Sequence, residues 1–93
     1  MRRKLIRSSA FVRSAKRLVK KRPQVVEALR STLELLSADA FHPQLKTHQL
    51  KGDLKGSLAC SLDHDLRILF EFIQYEGTEA ILLQTVGTHD EVY

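Results

Sequence analysis

Apolar residues recur at helical spacing through the first third of the chain. Between Ser8 and Arg22 they share one helical face, with basic residues between them: Phe11, Val12, Ala15, Leu18 and Val19. Ser8 and Ser9 can each cap the start of this helix, and Pro23 disfavours helical geometry in the residue before it. Pro23 also suits the first turn of a second helix, with the apolar stripe Val26, Leu29, Leu33 and Leu36. The pattern predicts two consecutive amphipathic helices.

The second half of the chain has the pattern of strands. Periodicity fades between Ser37 and Gly56, where Pro43 and the glycines indicate a loop. Three strands are predicted after it, at residues 58–62, 65–74 and 78–86, with a turn at Glu76 and Gly77. Residues 2–7 are predicted to form a short first strand. We therefore expect one α+β domain over residues 1–93, with two N-terminal helices packed on one face of a small, largely antiparallel four-stranded sheet, in the order β-α-α-β-β-β.

Composition is that of an ordinary globular protein. The chain has 93 residues, of which 43% are hydrophobic and 28% charged, so disorder is not expected. Its single cysteine, Cys60, cannot form an internal disulfide, and its leucine-rich surroundings indicate a small buried side chain. This favours a cytoplasmic location. The charged N-terminus is not followed by an unbroken apolar stretch, so we expect neither a signal peptide nor a membrane span.

Positive charge is concentrated at the N-terminus. Residues 1–22 hold ten of the fifteen Lys and Arg residues and no acid, whereas the rest has five bases and all eleven acids. A block of one sign this large favours a polyanion or an acidic partner. The alternative is a basic helix whose charges contact only solvent and bind no partner.

Histidines provide the candidate chemistry. Cutting RNA without a metal requires a group that removes the 2′-hydroxyl proton, a cation for the phosphorane and a proton donor for the leaving oxygen. His89 lies on a polar tail after the last strand, and His48 lies in the loop that also carries Lys51 and Lys55. Each would, taken alone, also fit an ordinary surface histidine. His42 is expected to be a surface residue.

The second predicted strand adds a carboxylate and a fixed cation. Asp65 and Arg67 are two positions apart, which in a strand puts both on one face. Arg67 suits phosphate, and Asp65 could orient a histidine or hold Arg67; a plain surface ion pair is the alternative. His64 is a secondary candidate in the preceding turn. Tyr93 could stack on a base or pack against the sheet as an apolar side chain. No zinc-type Cys/His spacing or Gly-rich phosphate loop occurs, so we expect no metal and no cofactor.

The chain resembles the YafQ branch of ribosome-dependent mRNA interferases, within the RelE/ParE superfamily of type II toxins. The resemblance covers nearly the whole chain as a pattern of elements, and its specific part is residues 46–93. The matching segments are Lys46 to Gly52, Lys55–Gly56, Asp65 to Leu69, and Gly87–Thr88–His89 with an aromatic residue four positions later. The resemblance implies a metal-independent endoribonuclease that cleaves mRNA in the ribosomal A site by attack of the 2′-oxygen on the adjacent phosphate. The partners it implies are a cognate antitoxin, the ribosome with its mRNA and, through the antitoxin complex, operator DNA.

The resemblance also assigns roles. It implies that His48, Asp65, His89 and Tyr93 are functional and that Arg67 contacts phosphate; Lys51 and Lys55 are expected to bind the substrate. Two positions depart from the family pattern, with Ser61 in place of a further histidine and Leu66 in place of an aromatic residue. Either the catalytic set is smaller here, or His64 takes the missing role, or the activity is weak.

Two alternatives use the same features differently. A ParE-like toxin would inhibit DNA gyrase by binding, and a basic nucleic-acid-binding module would have no toxicity. Two histidines flanking an Asp/Arg strand favour the interferase, because a pure binder has no need of two groups that titrate near neutrality.

Overall fold

The sheet has five strands, one more than the sequence predicts. The structure is a computed structural model and describes residues 2–93. The strands are β1 (Lys4–Arg7), β2 (His48–Gln49), β3 (Leu58–Asp63), β4 (Leu66–Tyr75) and β5 (Thr78–Thr88). The helices are α1 (Ser9–Lys21), α2 (Val25–Ala38) and the short α3 (His89–Val92). Single 3₁₀ turns occur at Pro43–Leu45 and Gly52–Leu54.

The α+β class and the largely antiparallel sheet are confirmed, but the four-stranded count is wrong. The strand order is β1-β5-β4-β3-β2, with β1 parallel to β5 and every other pair antiparallel. The additional strand is β2, in which His48 pairs with Ala59 and Gln49 with Leu58. Two residues are too few to show a period of two, so this strand leaves no pattern in the sequence.

The two long helices begin and end close to the predicted positions. The Ser8 Oγ accepts a hydrogen bond from the Phe11 amide at 3.0 Å and caps α1, which ends just before Arg22 and Pro23. α2 starts two residues after that proline. Both helices pack on one face of the sheet, and the core between the layers includes Phe11, Leu18, Leu36, Ile68, Phe70 and Ile81.

Ser8, the N-cap of α1, and Ser14 within α1 complete the hydrogen bonding of β5. β1 pairs with β5 only as far as Leu83, so the next part of β5 has no neighbouring strand on that side. The Ser8 Oγ donates to the Gln84 carbonyl at 3.2 Å, and the Val86 amide donates to the Ser14 Oγ at 3.1 Å. Because a buried amide without a partner is costly, these bonds allow a helix to border the strand.

A second, smaller cluster lies on the opposite face of the sheet, which we call the tail face. Ala59, Leu69 and Val92 are buried there, and Leu50 and Leu54 pack against them. Val92 belongs to α3, so the C-terminal residues fold back over the sheet.

Three other expectations concern single features. Glu76 and Gly77 form the β4–β5 turn, with φ of 53° and 79°, and thus confirm the predicted hairpin. Cys60 is fully buried, and this burial raises the pKa of its thiol to about 12. Over residues 2–93, no helix has the length and apolar character needed to cross a membrane.

Candidate functional site

Two rows of side chains cross the sheet on the tail face. Residues directly paired between neighbouring strands project to the same face. One row consists of His48, Ala59, Leu69 and Thr85, and the adjacent row consists of Ser61, Arg67 and Gly87. Because Leu69 and Ala59 contact Val92, α3 packs on these rows. The sheet therefore brings His48, Arg67 and the tail to one face.

The hydrogen bond of His48 fixes which ring nitrogen is free in the neutral imidazole. Its Nδ1 lies 3.0 Å from the carbonyl oxygen of Lys46. A carbonyl oxygen only accepts hydrogen bonds, so Nδ1 carries the proton and the lone pair is on Nε2. His48 is exposed, so its ring is accessible to a ligand. In His42, by contrast, Nδ1 accepts a hydrogen bond from the Gln44 amide and caps a 3₁₀ turn.

Arg67 lies at the wall of an open groove. Its Nη1 donates to the carbonyl oxygens of Asp63 at 3.1 Å and Leu66 at 2.9 Å, and more weakly to that of His64 at 3.4 Å. These bonds hold the guanidinium over the β3–β4 turn, and within residues 2–93 it forms no ion pair. The groove has a volume of about 460 Å³ and is also lined by Lys46 and Ser61. It thus presents a fixed cation to a ligand on the tail face.

A capping box positions the tail helix. The Thr88 amide donates to the Glu91 Oε1 at 2.8 Å, and the Glu91 amide donates to the Thr88 Oγ1 at 3.4 Å. The first of these bonds is the main reason that the pKa of Glu91 is lowered. Val92 anchors α3 on the sheet, while His89 and Tyr93 stay exposed with ring centroids 4.3 Å apart. Partial burial raises the pKa of the Tyr93 phenol, and the nearby charge of Arg67 opposes that rise.

Asp65 does not pair with Arg67, contrary to one of the predicted arrangements. The strand β4 begins only at Leu66, so Asp65 lies in the preceding turn. Its carboxylate oxygens accept hydrogen bonds at 3.1 and 3.0 Å from the two terminal nitrogens of Arg22, at the end of α1. The hydrogen bond from Arg22 is the largest cause of the lowered pKa of Asp65. The ion pair joins the β3–β4 turn to α1.

Comparison with known proteins identifies the family of the chain. A family model described as the bacterial toxin of a type II toxin–antitoxin system, YafQ, matches residues 3–93. The chain belongs to the YafQ family of toxins. This confirms the resemblance seen in the sequence. No curated protein sequence matches significantly.

Solved structures of YafQ and of a related toxin share the fold. YafQ from E. coli BL21(DE3) is 19% identical, with a TM-score of 0.80 over 98% of each chain. YafQ in the E. coli DinJ–YafQ toxin–antitoxin complex is 20% identical, with a TM-score of 0.77 over 100% of this chain and 99% of that one. A metal-bound toxin from Helicobacter pylori is 28% identical, with a TM-score of 0.78 over 100% of both chains.

The other predicted residues of this YafQ-family chain are placed unevenly. Ser61, where the resemblance leads one to expect a further histidine, pairs directly with Arg67 and lines the Arg67 groove. His64 lines the same groove from the turn. Lys51 and Lys55 are exposed in the loop between β2 and β3, and Lys55 lines a separate groove of about 280 Å³. The structure therefore brings His64 to the Arg67 groove but not these two lysines.

Sequence reasoning misses the roles of two residues that shape this site. Arg22 pairs with Asp65, which is 43 positions away, so nothing local indicates the pair. Glu91 has a local signal, since Thr88 followed three positions later by Glu91 is the pattern of a capping box. In the described part of the chain, no three His, Cys, Asp or Glu side chains are grouped as metal ligands would be.

Proposed function

We propose that this YafQ-family toxin is a ribosome-dependent mRNA endoribonuclease, with His48 as its general base. The observation that carries the proposal is the bond from the His48 Nδ1 to the Lys46 carbonyl, which leaves Nε2 as a proton acceptor. In the sheet order, Arg67 on β4 lies between His48 on β2 and His89 after β5. This arrangement suits a phosphate held between a base and an acid.

In the proposed reaction, the His48 Nε2 removes the proton of the ribose 2′-hydroxyl. The 2′-oxygen attacks the adjacent phosphorus, and the bond from phosphorus to the 5′-oxygen breaks. His89, in its protonated form, donates a proton to the leaving 5′-oxygen, so the products are a 2′,3′-cyclic phosphate and a 5′-hydroxyl. Arg67 stabilises the negative charge that develops on the phosphoryl oxygens. The step needs no metal ion for its balance of protons and electrons.

The remaining predicted residues have supporting roles in this proposal. The exposed ring of Tyr93, tilted against His89, offers a surface for a base. Lys51 and Lys55 contact the RNA backbone beyond the reacting phosphate. Asp65 contributes by holding the β3–β4 turn through Arg22, and thereby the backbone carbonyls that fix the Arg67 guanidinium.

The proposed partners follow from charge and from family membership. A cognate antitoxin would inhibit the toxin, as the E. coli DinJ–YafQ complex suggests, and operator DNA would bind through such a complex. The acid-free basic segment at residues 1–22 favours an acidic antitoxin segment and ribosomal RNA as partners. A cytoplasmic location follows from a ribosomal substrate.

The test is mRNA cleavage on programmed 70S ribosomes, with 5′ ends mapped, in buffer with and without EDTA pretreatment of the protein. We expect wild type to cut within A-site codons and His48→Ala to cut at least about 100-fold more slowly, the usual contribution of a general base. His42→Asn is the matched control, because asparagine retains an acceptor for the 3₁₀ cap, and it should cut at the wild-type rate.

Two results would overturn the proposal. Wild type that arrests growth and leaves ribosomal mRNA intact would move the search to DNA gyrase. Cleavage that survives in His48→Ala with an unchanged pH profile would remove His48 as the base.

A further inference from the structure

A narrow groove separates the C-terminal half of α1 from the end of β5. It exists because β1 stops pairing at Leu83, so that a helix rather than a strand borders residues 84–88. Its volume is about 210 Å³, below the range of roughly 300–1,000 Å³ of pockets for drug-sized ligands. A group as small as a phosphodiester fits this volume better than a complete nucleotide does.

Charged side chains line the groove from both sides. Arg17 and Lys21 reach it from α1, and neither forms an ion pair within residues 2–93. Arg22 also lines it, but its charge is paired with Asp65. Glu91 faces these cations from α3, and its carboxylate already accepts the Thr88 amide. The unpaired charges leave one cation in excess.

The groove continues a straight row of cations. Arg13, Arg17 and Lys21 are four positions apart, which puts them on one face of α1 at intervals of about 6 Å. All three are exposed, and the row leads toward α3 and His89. Regularly spaced cations that lead to a small basic groove suit a polymer with regularly spaced anions better than a single carboxylate.

We propose that this groove binds a backbone phosphate of the RNA strand, outside the site at which the strand is cut. Arg17 and Lys21 donate to the phosphate oxygens. The Thr88 hydroxyl accepts from the Glu91 amide and keeps its own proton for the ligand. The inference rests on the proposed function for the identity of its ligand, RNA. It adds a phosphate subsite next to α3 that shares no lining residue with the Arg67 groove.

The probe is a fluorescently labelled single-stranded RNA with 2′-O-methyl groups throughout, which cannot be cut by 2′-oxygen attack. Binding to the full chain is measured by anisotropy at several salt concentrations. We expect Arg17→Gln with Lys21→Gln to weaken binding about tenfold, as for loss of a charge-assisted hydrogen bond. The magnitude of the slope of log affinity against log salt should fall by about 0.7, because one phosphate contact, and the counterion that it displaces, is lost.

The matched control changes the same net charge on the same helix. Lys16 and Lys20 are exposed on α1 but do not line the groove. Lys16→Gln with Lys20→Gln should weaken binding by no more than about threefold, the effect of unspecific attraction.

A third variant tests the sign of the charge effect. Glu91→Gln keeps the capping box, since glutamine also serves at that position, and removes the anion in the groove. Binding should tighten by at least about threefold, whereas Glu34→Gln on the exposed face of α2 should leave it unchanged. Melting temperatures of all four variants confirm that each is folded.

Three outcomes would overturn the inference. The first is failure of the wild type to bind the RNA at low salt. The second is an equal loss of RNA affinity in the two α1 double variants. In the third outcome, the Arg17/Lys21 variant still binds RNA but no longer binds a labelled polyglutamate peptide. The groove would then bind an acidic protein and not RNA. Failure of wild type to cut ribosomal mRNA would instead refute the proposed function and leave RNA binding in the groove intact.

Discussion

A methyl group added at Gly87 would strike the side chain that holds the tail. A Cβ at this position would lie 2.8 Å from the Glu91 Oε1 and 3.2 Å from the Glu91 Cβ. The Gly87 backbone does not have a positive φ, so alanine introduces a contact problem and not a backbone problem. The Oε1 is the end of a flexible side chain and can swing aside, whereas the Glu91 Cβ belongs to α3 and must give way by a few tenths of an ångström. We expect the carboxylate to move away and its bond from the Thr88 amide to break.

The cost follows from what the capping box supports. Loss of an N-terminal cap costs about 1 kcal/mol. A four-residue helix is too short to persist without tertiary support, so Val92, which is 9% exposed, can leave the sheet with it. Exposing a side chain of this kind costs about 1.5–3 kcal/mol more. We therefore expect Gly87→Ala to lower the free energy of unfolding by between about 1 and 4 kcal/mol.

Thermal unfolding and ribosomal cleavage together test the predicted effect of Gly87→Ala. Each kcal/mol should lower the melting temperature by roughly 4–8 °C in a domain of this size. The cleavage rate should fall by more than the loss of folded protein accounts for, because His89 and Tyr93 are both on the displaced segment. In a background with Glu91→Ala, Gly87→Ala should cost less, since the carboxylate is gone and only the 3.2 Å contact with the Cβ of residue 91 remains. Equal costs in the two backgrounds would refute the proposed clash.

Two further variants test the links between α1 and the sheet. Ser14→Ala leaves the buried Val86 amide without an acceptor and should lower the free energy of unfolding by about 1–3 kcal/mol, measured by urea denaturation. Arg22→Gln removes the partner of Asp65, whose pKa is lowered in the folded state. A carboxylate whose pKa is lowered in the folded state stabilises that state at pH values above the pKa of the unfolded state. This stabilisation is lost as the pH falls through the folded-state pKa. Arg22→Gln should therefore reduce stability at neutral pH but not in strong acid, measured by melting temperature against pH.

Two exposed positions serve as controls for these variants. Ser31→Ala on α2 should leave stability unchanged, because its side chain is exposed. Lys20→Gln removes one charge from α1 without touching Asp65 and should shift stability equally at all pH values. An effect of Ser14→Ala as small as that of Ser31→Ala would contradict the role of the serine hydroxyl. A loss in Arg22→Gln that persists in strong acid would contradict the ion pair.

Long periodic segments were predictable from the sequence, and so were the short strands β1 and β3, but β2 was not. α1, α2, β4 and β5 each repeat their apolar pattern often enough to show the period. β2 has two residues and shows none. Its position is set by pairing with β3, which depends on how the intervening loop closes between Leu50 and Ser57.

The candidate site shows the same division. The sequence identified the chemical groups, and the register of the sheet put His48 and Arg67 on one face. The partner of Asp65 was not predictable, because a strand that begins one residue later than expected frees this side chain to reach α1. The tail helix α3 has one signal in the sequence, its capping pattern. The segment is too polar to show helical periodicity, so this pattern is easily overlooked.

The parallel pairing of β1 with β5 has a consequence for how the protein is made. Lys4 pairs with Ala80, so β1 has no neighbour in the sheet until nearly all of the domain has been synthesised. Contacts between residues this distant in sequence form slowly, because a long loop must close before they are gained. α3 follows β5 directly in the chain, so it too is synthesised last. Nascent chains on the ribosome therefore lack the proposed site until translation of the domain is over.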